Sequence, residues 1–390
     1  MQKLLVGPIQ SAGIQTLIVI DALDECKDED PESIILLVLG QLVSKIPGVK
    51  FFITSQPELH ITSGFHRPLL EALTEVFVLH HVEPCAINSD IHHFFKHGLL
   101  KLSQRHGGIE GWPTDEQIDS LCQRAAGFFI YAVATLNFLD HKFQDPSDRL
   151  EMIMQSPEST AHEARVKLKA SYTSLDFLYM SIFQAAFPEN DANDDAVVRS
   201  VLSAVVLAAN PLSQAAIAML TGFRSGHVQC LLELIQSLLI LPKDPNDPVQ
   251  PFHRSFPDFI TDPTCCVNTQ FYVHPHYHLK LALNCLEIMG KLLKRNMCSI
   301  PDYTLNSKVE DLAEKIKECG IPGALEYGCR SWYKHLIVAK EETVDVITAL
   351  HHFLEGKFLF WLEVLSVIGA LGDAAHALVA TMKWLNEVCL

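Results

Sequence analysis

Three acidic residues follow an apolar run near the start of this 390-residue chain. The run covers residues 17–20 and contains two Ile and one Val, a composition typical of a buried parallel strand. Asp21 comes directly after it, and Asp24 and Glu25 follow within one turn. Carboxylates at the carboxyl end of a parallel strand lie where open α/β sheets bind their ligands. The pattern predicts that Asp21 binds Mg²⁺ and that Glu25 polarises a water molecule, with a plain strand-to-helix turn as the alternative.

Strand and helix patterns alternate over residues 1–83. Helical spacing of apolar residues from Ile34 to Ile46 follows the acidic residues, and Pro47-Gly48 ends it. Residues 51–54 predict a second strand and residues 76–79 a third. A strand, a helix and a strand at this spacing form a right-handed βαβ unit, so we expect a parallel sheet.

Helical periodicity continues through the rest of the chain. Residues 84–150 predict a small helical domain, in which Thr114 and Gln117 form a capping box. Residues 151–164 predict a linker, and residues 165–262 a winged-helix domain whose wing pairs residues 238–241 with residues 249–253. Residues 263–390 predict an irregular helical array without a fixed repeat. The fold class expected is an α+α/β multidomain protein, with a partial parallel sheet and an all-α carboxyl-terminal part.

Composition excludes several classes of protein. The chain is 48% hydrophobic and 19% charged, which is typical of a folded protein. Its net charge of −16 argues against a general nucleic-acid binder and against an anionic membrane surface. Eleven cysteines without a Cys-x-x-Cys pair indicate reduced thiols. We therefore expect a cytoplasmic protein with no nucleic-acid or membrane partner.

Histidine pairs could suggest a second metal site. His93 and His97 are four residues apart on a predicted helix, a spacing that can hold a metal on one face. No third ligand follows at a recognisable spacing, so metal binding there is disfavoured.

Four stretches resemble, in order, the NACHT-domain proteins, a group of signal-transducing STAND P-loop NTPases. Residues 18–26 resemble their Walker B element, and residues 50–55, 127–132 and 252–263 resemble later motifs. The resemblance is closest to the NOD-like-receptor-type proteins of basidiomycete fungi, and it covers almost the whole chain.

The resemblance implies roles for individual residues. Asp21 would be the Mg²⁺ ligand, and Asp24 and Glu25 the catalytic acidic residues. Gln56 stands at the sensor 1 position, where the family usually has an Arg that reaches the γ-phosphate; glutamine lacks that charge.

Two further residues would bind the nucleotide by resemblance. Gly127 corresponds to a hinge glycine near the adenine and ribose, and a simple helix break is the alternative. His253 corresponds to the winged-helix histidine that contacts the β-phosphate of ADP and holds the closed, inactive state. A satisfied core histidine is its alternative.

The sequence departs from the family in lacking the P-loop. No Gly-x-x-x-x-Gly-Lys-[Ser/Thr] occurs, and neither Gly7 nor Gly13 is followed by Lys and Ser or Thr. We therefore expect a fragment of a longer protein, in preference to a decayed paralogue. Binding of Mg²⁺ and ATP or ADP is expected to be weak or lost, with no independent ATPase.

The function that the resemblance implies is a nucleotide switch in a fungal signalling receptor, of the innate-immunity or heterokaryon-incompatibility type. Its partners would be other proteins or further copies of itself, and full-length relatives carry effector and WD-type or ankyrin repeat domains. The alternative is a non-enzymatic interaction scaffold derived from such a protein. A metal-dependent nucleic-acid enzyme is disfavoured by the negative charge.

Overall fold

The structure is a computed structural model in which most described residues are helical. It describes residues 16–25, 35, 36, 38–40, 49–78, 83–141, 144–155, 173–187, 192–266, 270–300, 309, 312–339 and 344–388. The chain divides into two compact units, residues 1–83 and residues 84–390. The predicted boundaries within the second unit stay predictions.

The first unit contains a two-stranded parallel sheet. Strand β1 is Thr16–Ile20, strand β2 is Val49–Ile53, and the register places Ile20 opposite Ile53. A short 3₁₀ turn, Leu23–Glu25, follows β1, and helices α1 (Leu59–Phe65) and α2 (Pro68–Glu71) follow β2. The parallel pairing of the first two predicted strands is therefore confirmed.

One face of this sheet is covered and the other is open. Ile18, Ile20, Phe51 and Ile53 are half-buried, and the covered face packs on a small core. The buried members of that core are Leu23, Leu36, Leu39, Ile61 and Leu70. The opposite face carries Leu17, Val19 and Phe52, whose side chains are about 60% exposed (62%, 61% and 58%). The alternation follows from the period of two along a strand.

The prediction of a third strand over residues 76–79 is wrong for the described residues 76–78. Val76 and Phe77 are 73% and 76% exposed, and residues 74–78 have no regular structure. A strand is stable only when its backbone groups pair with a neighbour, and no described residue pairs with this run. Leu79 lies outside the described residues. So does most of the predicted helix after the acidic residues, of which residues 35, 36 and 38–40 are helical.

The described part of the second unit is helical with one small hairpin. Its helices are α3 (Pro84–Arg105), α4 (Asp115–Ala125), α5 (Phe129–Leu139), α6 (Pro146–Gln155), α7 (Thr173–Ala186), α8 (Ala192–Val206), α9 (Gln214–Thr221), α10 (Ser225–Leu234), α11 (Ser255–Thr261), α12 (Tyr277–Leu292), α13 (Leu312–Cys319), α14 (Gly323–Ala339), α15 (Val344–Gly356), α16 (Phe358–Val367) and α17 (Leu371–Val388). Strand β3 (Leu239–Ile240) pairs antiparallel with β4 (Gln250–Pro251).

Two of these features were predicted from local signals in the sequence. Thr114 accepts from the Gln117 backbone N–H at 3.1 Å, and the Gln117 side chain accepts from the Thr114 N–H at 3.0 Å, so the capping box is confirmed. Pairing between β3 and β4 confirms the predicted wing contact, while the winged-helix assignment stays a prediction.

The apolar side chains of the second unit form one contiguous core, which runs from Ile91 on α3 to Trp384 on α17. Within it the ring of Trp361 packs edge to face on Trp332 and Phe353, and those two rings are tilted against each other, with ring centroids 5.5 to 6.3 Å apart. No helix in the described part of the chain is long and apolar enough to cross a membrane.

Candidate functional site

The acidic residues of the first unit lie where β1 and β2 end side by side. Because Ile20 and Ile53 are in register, the next residues, Asp21 and Thr54, are neighbours. The Thr54 backbone N–H donates to the Ile20 carbonyl at 3.0 Å, and the Leu23 N–H donates to the Thr54 carbonyl at 2.9 Å. The two strand ends are therefore joined beyond the last paired residues of the sheet.

The Thr54 hydroxyl links the metal-site candidate to the backbone. It donates to Asp21 Oδ1 and accepts from the Ala22 N–H at 2.8 Å. Ala22 has a left-handed φ of 50°, which turns the chain sharply after the strand. This turn leaves the Asp21 side chain exposed at the strand end. Sequence reasoning did not single out Thr54, although its place directly after a strand, opposite an acidic residue, could have indicated it.

Asp24, the second acidic residue, contacts the backbone of Gln56. Asp24 Oδ1 accepts from the Gln56 N–H at 2.9 Å. Gln56 thus lies beside one of the acidic residues, and its described contact is made by the main chain. Its predicted role toward a nucleotide stays a prediction. The side chain of Glu25 lies outside the described residues, so its predicted role stays a prediction.

The donors gathered here fit a hard divalent cation better than a soft one. Asp21 and Asp24 offer only carboxylate oxygens, and Mg²⁺ prefers oxygen ligands and keeps several of its waters. Among the residues that the structure describes, no group of three or more His, Cys, Asp or Glu side chains could hold a metal ion. Asp21 would hold Mg²⁺ with water and ligand oxygens completing its coordination.

His253 lies in the second unit, directly after β4. Its ring Nδ1 is 2.8 Å from Ser255 Oγ and 3.1 Å from the Ser255 backbone nitrogen. Ser255 Oγ is in turn 2.7 Å from the hydroxyl of Tyr179 on α7. The His253 side chain is exposed, while Tyr179 and Ser255 are buried. The ring is hydrogen-bonded, as the alternative of a satisfied histidine requires, but it is not buried, so its role stays a prediction. Sequence reasoning missed both of its supports.

A narrow apolar crevice joins His253 to helix α5. Ile130 and Ala134 of that helix line the crevice together with His253 and Tyr179. Helix α5 begins two residues after Gly127. Helix α5 and the segment that contains His253 therefore meet within the second unit.

Gly127 follows the carboxyl-terminal cap of α4. Ala126 and Gly127 both have left-handed φ values, 47° and 86°. A Cβ built on Gly127 would find its nearest neighbour, Ile87 Cγ2, at 3.9 Å, which is ordinary contact. The left-handed conformation alone therefore accounts for glycine, as in many helix caps. The contact with a nucleotide stays a prediction.

One family model matches part of the first unit. Residues 1–56 match the family model of the nephrocystin 3 amino-terminal region. This stretch contains β1, β2, the acidic residues and Gln56, and it is well under half of the chain. No curated protein matches the chain.

Proposed function

We propose that this chain is the nucleotide-switch core of a cytoplasmic STAND signalling protein of the NACHT type, similar to fungal NOD-like receptors. The observation that carries the proposal is the junction at the ends of β1 and β2. There the Thr54 hydroxyl holds the Asp21 carboxylate at the carboxyl edge of a parallel sheet, where such sheets bind their ligands. The match of residues 1–56 to a named amino-terminal family supports a common origin for this segment alone.

The proposed switch assigns a separate role to the candidate residues of each unit. Asp21 would hold Mg²⁺ through water, and Asp24 and Glu25 would complete the acidic site. The winged-helix part, built from α8–α10 with the β3–β4 hairpin as its wing, would present His253 to the phosphates of ADP. Exchange of ADP for ATP would then shift the population between two domain arrangements, leading to self-assembly or effector binding.

The sequence also predicts that nucleotide binding by this chain is weak. No P-loop motif occurs in the sequence, so the backbone cradle for the phosphates and its lysine are not supplied by this chain. Gln56 brings no positive charge to offset the charge that develops during phosphoryl transfer. We therefore expect weak binding of ADP and ATP with Mg²⁺, and no useful hydrolysis.

Thermal unfolding with and without nucleotide tests the proposal. A ligand that binds the folded state raises its stability by mass action, about 1.4 kcal/mol at ten times the dissociation constant. We expect millimolar Mg²⁺-ADP to raise the melting temperature of the wild-type chain, and Asp21→Asn and His253→Ala to reduce that rise. Asp90→Asn, an exposed carboxylate on α3, and His274→Ala are the matched controls and should leave it unchanged.

The rival proposal is a non-enzymatic interaction scaffold. It is favoured by apolar side chains exposed on the last two helices, Leu359 at 73%, Val379 at 55% and Met382 at 65%. It predicts no shift of the melting temperature at millimolar nucleotide and no effect of Asp21→Asn. That outcome would overturn the switch in favour of the scaffold.

A further inference from the structure

The side chain of His253 is hydrogen-bonded to Ser255, whose hydroxyl is hydrogen-bonded in turn to the hydroxyl of Tyr179. Ser255 is 6% exposed and Tyr179 is 2% exposed. Tyr179 packs against Phe256 and Phe259, with ring centroids 5.8 and 5.3 Å away. These aromatic contacts hold the tyrosine hydroxyl in place, so the polar chain from Tyr179 through Ser255 to His253 rests on a rigid core.

The donor in each of these hydrogen bonds can be assigned by starting from the Ser255 backbone N–H. A backbone N–H can only donate, so the Ser255 N–H makes His253 Nδ1 an acceptor. Nδ1 therefore carries no proton, and the Ser255 hydroxyl must donate to it as well. Ser255 Oγ then accepts from the Tyr179 hydroxyl. All donors run in one direction, and the proton of the neutral ring is left on Nε2.

We propose that Tyr179 and Ser255 are positioning residues that fix His253 as its Nε2–H tautomer, a donor for an anionic oxygen such as that of a phosphate group. The fixed tautomer follows from the geometry alone, and the phosphate acceptor rests on the proposed function. Nδ1 faces Ser255, and Nε2 lies on the other side of the ring, so its proton is directed away from the hydroxyl pair.

The surroundings of Tyr179 keep it a donor. Burial raises the pKa of its hydroxyl to about 12, with smaller contributions from the carboxylates of Asp176 and Asp258. The hydroxyl is therefore protonated at all physiological pH values. It donates a hydrogen bond to Ser255 Oγ, and the serine hydroxyl in turn donates to His253.

A second histidine, His274, makes the same backbone contact as His253 and serves as a comparison within the protein. His274 Nδ1 accepts the backbone N–H of His276 at 3.0 Å, which is the same two-residue turn as in His253 and Ser255. His274 Nδ1 also lies 2.8 Å from Nδ1 of the exposed His276 ring, where His253 has a buried serine and tyrosine. A tautomer preference caused by the backbone turn alone would appear at both histidines.

Nitrogen NMR of the full chain labelled with ¹⁵N-histidine tests the assignment, because the two ring nitrogens shift in opposite senses in the two neutral tautomers. In the wild type we expect His253 as Nε2–H with Nδ1 unprotonated. Ser255→Ala removes one hydrogen bond of ordinary strength and should lower the ratio of Nε2–H to Nδ1–H about fivefold. Ser255→Thr should restore it. Tyr179→Phe should lower the ratio less, and none of the variants should move the His274 signals.

The outcomes separate this proposal from the proposed function. An Nδ1–H ring in the wild type, or a ratio unchanged in Ser255→Ala, overturns the positioning role even if Mg²⁺-ADP stabilises the chain. If the ratio shifts in Ser255→Ala but Mg²⁺-ADP does not stabilise the chain, the positioning role is retained and the proposed nucleotide binding is overturned. If Tyr179→Phe does not fold, the Ser255→Ala and Ser255→Thr pair decides the result, because alanine and threonine leave the aromatic packing of Tyr179 intact.

Discussion

At the scale of single residues, Thr54 matters more than the sequence pattern suggested. One hydroxyl satisfies the backbone N–H of Ala22 and also bonds the carboxylate of Asp21. The carboxylate and the sharp turn after β1 are therefore held by the same side chain. Asp21 was recognisable from its place after an apolar strand, whereas the contact with Thr54 spans 33 residues and depends on strand register.

Replacing this threonine should loosen the end of the sheet. Thr54→Val keeps the shape of the side chain and removes both hydrogen bonds, which leaves the Ala22 N–H without its acceptor. Two hydrogen bonds of this kind stabilise by about 1–2 kcal/mol, so amides of β1 and β2 should exchange with deuterium about 5- to 30-fold faster. Hydrogen exchange read by mass spectrometry of the full chain measures this directly.

Thr74→Val is the control in the same unit. Its hydroxyl makes a single local bond to the Leu70 carbonyl at 2.8 Å, four residues back. Exchange in β1 and β2 should not change in this variant. Equal acceleration in both variants, or none in Thr54→Val, would contradict the role assigned to Thr54.

At the scale of elements, local chemistry determined what could be predicted. The capping box at Thr114, the cap at Ser213 and the β3–β4 pairing follow from residues that are near one another in sequence. Residues 76–78 have a strand composition but no described strand beside them, and composition cannot supply a partner. The Tyr179–Ser255 contact joins residues 76 apart, so no local pattern indicated it.

A second buried polar chain connects three helical elements of the second unit. The Ala209 N–H, just after α8, donates to the Tyr327 hydroxyl at 3.1 Å, and that hydroxyl lies 2.6 Å from His335 Nε2 on α14. His335 Nδ1 is 2.8 Å from Nδ1 of His278 on α12. One of the two facing Nδ1 atoms must carry the proton and the other must accept it, so the two histidines cannot both be charged. Burial, followed by His278 and Lys334, lowers the pKa of His335 to about 3.

This arrangement predicts acid sensitivity of the helical array. The pKa of His335 is about 3 in the folded state and near the ordinary value of 6.5 when unfolded, so the unfolded state binds more protons between these values. Burial lowers the pKa of His278 in the same direction. The stability that the neutral His335 contributes should therefore be complete above about pH 6.5. Below that pH the free energy of unfolding should fall, by up to about 1.4 kcal/mol per pH unit for His335.

Urea unfolding followed by tryptophan fluorescence between pH 7.5 and 5 measures this slope. His335→Gln removes the titrating group and should be less stable at pH 7.5 but should show a shallower dependence on pH. His376→Gln, an exposed histidine on α17, should keep the wild-type slope. An unchanged slope in His335→Gln would show that another group causes the acid sensitivity.

At the scale of the whole molecule, the two units differ in how much apolar surface they bury. The described core of residues 1–83 has five buried apolar residues, and one face of its sheet is open. The core of residues 84–390 is contiguous from α3 to α17 and includes all four tryptophans. Among the described residues the second unit buries far more apolar surface than the first, and it therefore has the stronger basis for folding alone.

Deleting residues 1–83 should therefore leave the rest of the chain folded. Because every tryptophan remains in residues 84–390, the urea transition of the shortened chain can be compared directly with that of the full chain. We expect the same helical circular dichroism per residue, a transition midpoint changed by only a few tenths molar, and the His253 tautomer retained, since Tyr179 and Ser255 lie in the same unit. Residues 1–83 expressed alone should show no cooperative transition. If the shortened chain instead unfolds without cooperativity, its core depends on the first unit, and the division into two independently stabilised units is wrong.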